Sequence, residues 1–181
     1  NPNVIRDKII SYIREIKADV VMSWDPFAPG EDHPDHRVTA MATYEAAAFS
    51  ANPCFAPNTP YLPRPVTEAY WFAKSPLNAE CYVDIQSTID KKITALLKHE
   101  CQMILTLDGL VQEAKTLGVD LPMLDEALNN GHEALIEMGI RQYCAGIGEA
   151  RDLAFAEQFR YEKLGALDKL FGLDAITPDF A

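Results

Sequence analysis

The residues with the densest chemistry are Asp32-His33-Pro34-Asp35-His36, which place two of the four histidines and two carboxylates within five positions. A neutral imidazole binds a metal ion or moves a proton near neutral pH. A carboxylate beside an imidazole fixes which ring nitrogen carries its proton. His33 and His36 are three apart, so one helical turn puts both on one side. A simpler reading stays open: Asp32 or Asp35 caps a helix by meeting its free amides, and the histidines are merely exposed. Two histidines do not complete a catalytic zinc site, which usually takes three protein ligands and a water, and the chain has no His-Glu-x-x-His run. His99 and His132 join only if the fold brings them close. His132, in Asn130-Gly131-His132, reads as a helix-surface residue, and His99-Glu100-Cys101 as part of a helix packed near the site.

The cluster needs a strand before it and a helix after it. Ala18 to Trp24 reads as that strand. Its Val20-Val21-Met22 run is apolar on successive residues, as in a parallel strand buried on both faces. Pro34 suits the first turn of the following helix, expected over about His36 to Ala51. In open α/β sheets the crevice at the carboxyl edge of such a strand is where ligands bind. Upstream, Ile5, Ile9, Ile10, Ile13 and Ile16 recur at helical spacing opposite Arg6, Lys8, Arg14, Glu15 and Lys17.

Two further strands are expected, over Thr67 to Ala73 and Tyr82 to Ile85. Three short strands do not make a doubly covered sheet, so the rest of the sheet is expected upstream of Asn1. Within Tyr70-Trp71-Phe72 a sugar-stacking role competes with a core role, and strand alternation favours the core. The five prolines between Asn52 and Pro65 exclude helix and central strand, and a loop of that length reads as a lid or functional surface. Ser87 is the expected N-cap of a helix reaching about Thr106. Residues 108–145 are nearly all helical in pattern, broken near Gly118 to Pro122 and Asn129 to Gly131, and a last helix is expected over Ile147 to Leu164. Gly146-Ile147-Gly148 starts like a dinucleotide loop but lacks the third glycine and a preceding strand.

Composition sets the outer bounds. The 181 residues, 48% hydrophobic and 24% charged, suit a single α/β domain with a real core. A net charge of -11 opposes binding to nucleic-acid backbones and anionic membrane surfaces. No apolar run approaches the roughly 20 residues of a membrane-spanning helix. Four scattered cysteines without a Cys-x-x-Cys motif read as reduced thiols in a cytoplasmic protein. Leu117, Leu121, Leu124, Leu128, Leu135, Ile136 and Ile140 exceed what one packed face requires, so the C-terminal helices are expected to form a homo-oligomer contact. The same surplus supports a rival reading, a non-catalytic helical interaction module on a degenerate α/β core.

His33 to Arg37, reading HPDHR after a VVMSWDP strand, resembles the second signature of the LmbE-like, or PIG-L, family of zinc-dependent N-deacetylases. Ala69-Tyr70-Trp71-Phe72 resembles that family's next strand. Val83-Asp84-Ile85 with Lys91 to Leu96 and His99-Glu100-Cys101-Gln102 resembles its following helix, with Cys101 where serine is usual. Ala156-Glu157-Gln158-Phe159-Arg160 resembles an element near its C-terminus. Residues 108–145 match nothing in this pattern and read as a helical insertion. The resemblance implies a Rossmann-like parallel sheet with helices on both faces, of which this chain is the C-terminal portion plus extra helices.

It also implies a Zn2+-dependent hydrolase acting on an N-acetylated amino sugar, sugar conjugate or related amide. Residue by residue, His36 matches a zinc ligand, His33 the histidine that faces the oxyanion or handles its proton, and Asp35 the carboxylate that orients His33. Asp25, at the strand end, is a candidate for substrate contact or for a turn. The family's first signature, an H-P-D-D run supplying the other zinc ligands and a general base, is absent from these residues and expected upstream. Residues 1–181 alone are therefore expected to show no deacetylase activity.

Overall fold

The computed structural model describes residues 1–165 together with 170 and 171. The helix expected from the isoleucine spacing is α1 (Pro2–Ile16). The Asn1 side chain caps its start by accepting from Asn3 N–H at 3.0 Å, and Lys17 ends it in a left-handed conformation, φ 56°. β1 (Val20–Trp24) follows, then α2 (Pro34–Phe49), β2 (Glu68–Phe72), β3 (Cys81–Asp84), α3 (Ile89–Leu97), α4 (Glu100–Leu117), α5 (Pro122–Asn130), α6 (Glu133–Gly148), a 3-10 turn (Glu149–Arg151) and β4 (Ala156–Lys163). The strands form one four-stranded sheet in the order β1-β2-β4-β3.

The expected α/β fold is present, with two corrections. The sheet is mixed: β1 pairs parallel with β2, Val20 opposite Glu68 and Trp24 opposite Phe72, whereas β2 pairs antiparallel with β4, Trp71 opposite Arg160. β1 is also an edge strand among the described residues, and its apolar run is not covered on both faces: Val20 is 48% and Met22 60% exposed. The expected last helix, Ile147 to Leu164, is instead the end of α6, a 3-10 turn and, from Ala156 to Lys163, the strand β4. α6 stops at Gly148, where a Cβ would lie 2.3 Å from the Leu153 carbonyl oxygen, so only glycine permits the chain to fold back there. Asp152 then turns it at φ 57°. The buried residues of β4 are Ala156 and Phe159, three apart. That spacing imitates a helix, and pairing with β2 overrides it.

Two compact units divide the chain: residues 1–82 with 158–181, and residues 83–157. In the first, α1 and α2 pack through Ile10, Ile13, Ala46 and Ala47, with Ala56 and Val66 closing the cluster. Alanines on α2 let the two helices approach closely. Trp71 is fully buried, as expected for a core residue. In the second unit, Leu107, Val111, Ala114, Leu124 and Ala127 form one cluster and Ile85, Ile89, Ile93 and Cys144 another. The expected breaks appear at Gly118 and Gly131. The helix expected from Ser87 to Thr106 is instead capped at Thr88 and divided at Lys98-His99, where no glycine or proline marks the break.

The proline-rich loop is irregular, as expected, and a buried arginine ties it down. Arg14 on α1 is 4% exposed. It donates to the carbonyls of Ser50 (2.9 Å), Asn52 (2.8 Å), Phe55 (3.0 Å) and Ala56 (3.4 Å). Burial alone lowers its pKa, and the carbonyl fan compensates by satisfying the guanidinium. Arg14→Met keeps the apolar stem but strands these acceptors. A buried unsatisfied acceptor costs about 1–3 kcal/mol, so urea unfolding of the variant should show at least that loss with an unchanged m-value.

Candidate active site

The site is built where β1 ends and α2 begins. Asp25, the first residue past β1, donates its N–H to the Phe72 carbonyl at 2.8 Å, so the loop leaves the sheet from a fixed point. Its carboxylate is fully buried. Oδ1 accepts from Phe27 N–H (3.1 Å) and from Arg160 Nη2 (3.0 Å) and Nε (3.3 Å), while Oδ2 accepts from Leu77 N–H (2.8 Å). Arg160, on β4, also donates to Glu162 Oε2 (3.0 Å), which accepts from the Trp71 indole as well. Burial pushes the Arg160 pKa down, but the bonds to Asp25 and Glu162 together outweigh it, for a net rise. Of the two roles open to Asp25, the geometry is that of a loop anchor: both carboxylate oxygens are already occupied.

Gly30 then turns the loop at φ 71°, a left-handed conformation that glycine adopts freely. Next comes Glu31, whose side chain is 7% exposed. Its Oε1 lies 2.9 Å from His36 Nδ1. A carboxylate accepts only, so Nδ1 carries a proton, and in the neutral ring the Nε2 lone pair is left for a ligand. The His36 ring stacks on Trp24, with centroids 3.8 Å apart and planes at 11°, and on His33, at 4.4 Å and 28°. Trp24 in turn meets Phe72 at 4.9 Å. The imidazole is thus held by one hydrogen bond and two ring contacts.

His33 is the N-cap of α2. Its Nδ1 accepts from the Asp35 backbone N–H at 3.2 Å, which places its proton on Nε2. Asp35 therefore meets His33 through its main chain, and its carboxylate is exposed in the first turn of α2. The cap is thus His33 itself, not Asp32 or Asp35 as the simpler reading had it, and the residue is exposed. His33, Asp35 and His36 lie together, with Asp25 beneath the loop that leads to them. His99 and His132 precede α4 and α6, in the other compact unit. Beside the cluster lies an open depression of about 280 Å³, lined by Phe27, Gly30, Glu31, Asp32 and Arg37 among others.

The donor chemistry fits one ligand of a zinc site: a histidine with Nδ1–H on a carboxylate and Nε2 bare is the usual form of a metal-binding imidazole. Among the described residues no group of three or more His, Cys, Asp or Glu is placed to hold a metal ion. Two contributors escaped the sequence reading. Glu31 is one of three carboxylates near the histidines, and only the turn at Gly30 selects it. Arg160 stood inside a stretch read as helix, which gave no reason to pair it with Asp25.

No protein-family model matches the chain. Over 104 residues, 54% of the chain, the sequence is 30% identical to diacetylchitobiose deacetylase from Thermococcus kodakarensis, of which the match covers 37%. The fold is similar to that of N,N'-diacetylchitobiose deacetylase from Pyrococcus horikoshii, solved with its inhibitor MPG. The TM-score is 0.66 at 22% identity, over 98% of this chain and 55% of that one. It is also similar to the conserved protein TT1542 from Thermus thermophilus, with a TM-score of 0.56 at 16% identity, over 86% of this chain and 56% of that one. The chain thus spans 37% of the curated relative and little over half of each solved structure, and these likenesses establish an α/β fold of the kind found in diacetylchitobiose deacetylase.

Proposed function

We propose that this chain is part of an LmbE-like deacetylase that removes the acetyl group from an N-acetylated amino sugar. The observation that carries the reading is His36, held at Nδ1 by Glu31 and stacked on Trp24 at the carboxyl end of a parallel strand. The similarity to diacetylchitobiose deacetylase supports the substrate class. The polar lining contributed by Asp32 and Arg37 suits a hydroxyl-rich ring. The free thiols Cys54, Cys81, Cys101 and Cys144 support a cytoplasmic location. Among the described residues no helix is long and apolar enough to cross a membrane.

When bound, zinc supplies Lewis acidity and makes water nucleophilic at neutral pH. His36 is the residue of this chain that would hold it, through Nε2. His33 offers Nε2–H as a donor to the oxygen that gains charge as the amide carbonyl is attacked, an oxyanion-stabilising role. The cap bond from Asp35 N–H fixes the His33 ring for that task, so Asp35 acts through its backbone position more than through its charge.

The test is acetate release from N,N'-diacetylchitobiose by the complete protein, wild type and His33→Ala. The wild type should release acetate. The variant should keep its zinc and lose about 10²-fold or more in kcat, as when an oxyanion donor is removed. Full activity in His33→Ala removes the electrophilic role, and an inactive wild type with a range of N-acetylated sugars removes the reading.

The interaction-module reading has its own support, the exposed Leu105 (72%) and Leu117 (69%) on α4. Self-association through α4 to α6 is compatible with catalysis. Equilibrium sedimentation of the complete protein decides it: oligomers that dissociate in Leu105→Asp/Leu117→Asp support the contact, and a monomer at high concentration removes it.

A further inference from the structure

Glu31 shows the one feature of the site that stability does not explain. The side chain is 7% exposed, Oε1 is engaged by His36, and Oε2 is buried without a hydrogen-bond partner among the described residues. A buried carboxylate normally collects donors on both oxygens, because leaving one bare forfeits its hydration without return. Asp25, a few residues earlier, shows the usual arrangement, with donors on both oxygens. Glu31 departs from it beside an imidazole that has one nitrogen free. Among the described residues no arginine or lysine pairs with Glu31; its side-chain partner is His36, through the Nδ1 hydrogen bond.

We infer that Glu31 is the positioning residue for His36: its under-satisfied carboxylate holds Nδ1–H, fixes the tautomer with Nε2 bare, and makes that nitrogen a stronger donor to a divalent cation. This inference rests on the deacetylase reading for the cation's identity, but the tautomer it assigns belongs to the metal-free protein. Trp24 and His33 set the plane of the ring through stacking, and Glu31 sets its rotation and its proton. An unshared negative charge is what the site needs if the compensating positive charge arrives with the cation. A cation on Nε2 polarises the ring and strengthens the Nδ1–H bond to Oε1, so zinc should raise the unfolding temperature more in wild type than in a variant lacking the carboxylate. Carboxylate partners of metal-bound histidines typically contribute about 10–100-fold in metal affinity.

The complete protein is compared with Glu31→Gln and Glu31→Ala. In the zinc-free state, the imidazole 15N shifts of His36 report the tautomer. The wild type and Glu31→Gln should show Nδ1 protonated and Nε2 bare, since the glutamine oxygen still accepts; Glu31→Ala should show a mixture. Zinc affinity by competition with a chromophoric chelator should fall about 10–100-fold in Glu31→Ala and less in Glu31→Gln. A wild-type ring protonated at Nε2, or an unchanged tautomer and affinity in folded Glu31→Ala, overturns the assignment and leaves Glu31 a loop anchor. His36→Ala separates the two levels. If it binds zinc as tightly as wild type, the zinc-ligand role of His36 fails, whereas the tautomer still decides the role of Glu31.

Discussion

Replacing His36 with alanine in the complete protein is expected to abolish zinc retention and deacetylase activity together. The imidazole is prepared before any ion arrives: Glu31 holds Nδ1, and Trp24 and His33 flank the ring. Removing the ring deletes a direct zinc donor and strips the buried Glu31 carboxylate of its imidazole partner. The loss in zinc affinity should therefore exceed the roughly 10–100-fold typical when only the carboxylate behind a ligand is removed. The fold should survive, because His36 is a third exposed and outside the main cluster between α1 and α2. Zinc content by atomic emission, with kcat on the same preparation, checks this. Retained zinc with lost activity would place His36 among substrate contacts instead.

The second large effect is structural. Arg160→Met should cost about 3–5 kcal/mol, the usual penalty when one partner of a buried pair is removed and the other stays charged. Asp25 would keep only the N–H groups of Phe27 and Leu77, and Glu162 would lose one of its donors. Arg160 also lies over the rings of Phe27 and Trp71, at 5.5 and 5.6 Å, so packing is lost with the charge. The double variant Arg160→Met/Asp25→Asn should recover part of the loss, since the buried charge is then gone. Denaturant midpoints for these variants, Asp25→Asn alone and the wild type give the coupling directly. Additive losses would mean that Asp25 and Arg160 do not act as a pair. Because this pair anchors the start of the loop that carries Glu31, Arg160→Met should also lower zinc affinity.

The legible part of the molecule is the part whose sequence neighbours are its structural neighbours. The isoleucines of α1, Pro34 at the head of α2 and the glycines near 118 and 131 act within a turn or two. The cluster at 32–36 is read the same way, since strand, loop and helix follow in order. The unread part depends on distant partners. β4 is a strand because β2 lies beside it, although its buried positions, three apart, imitate a helix. With β4 misread, Arg160 had no path to Asp25, and the aspartate stayed open between substrate contact and turn. Glu31 failed to stand out for a different reason: three carboxylates surround the histidines, and the choice among them depends on one backbone angle at Gly30.

Anomalous diffraction at the zinc absorption edge, on crystals of the complete protein, tests most directly whether His36 is a zinc ligand. The expected result is a peak about 2.0–2.1 Å from His36 Nε2, the ordinary zinc–nitrogen distance, with Nδ1 still on Glu31 and His33 Nε2 facing the open coordination position. A zinc peak away from His36, or His36 Nε2 bonded to a protein group while zinc is bound elsewhere, would contradict it.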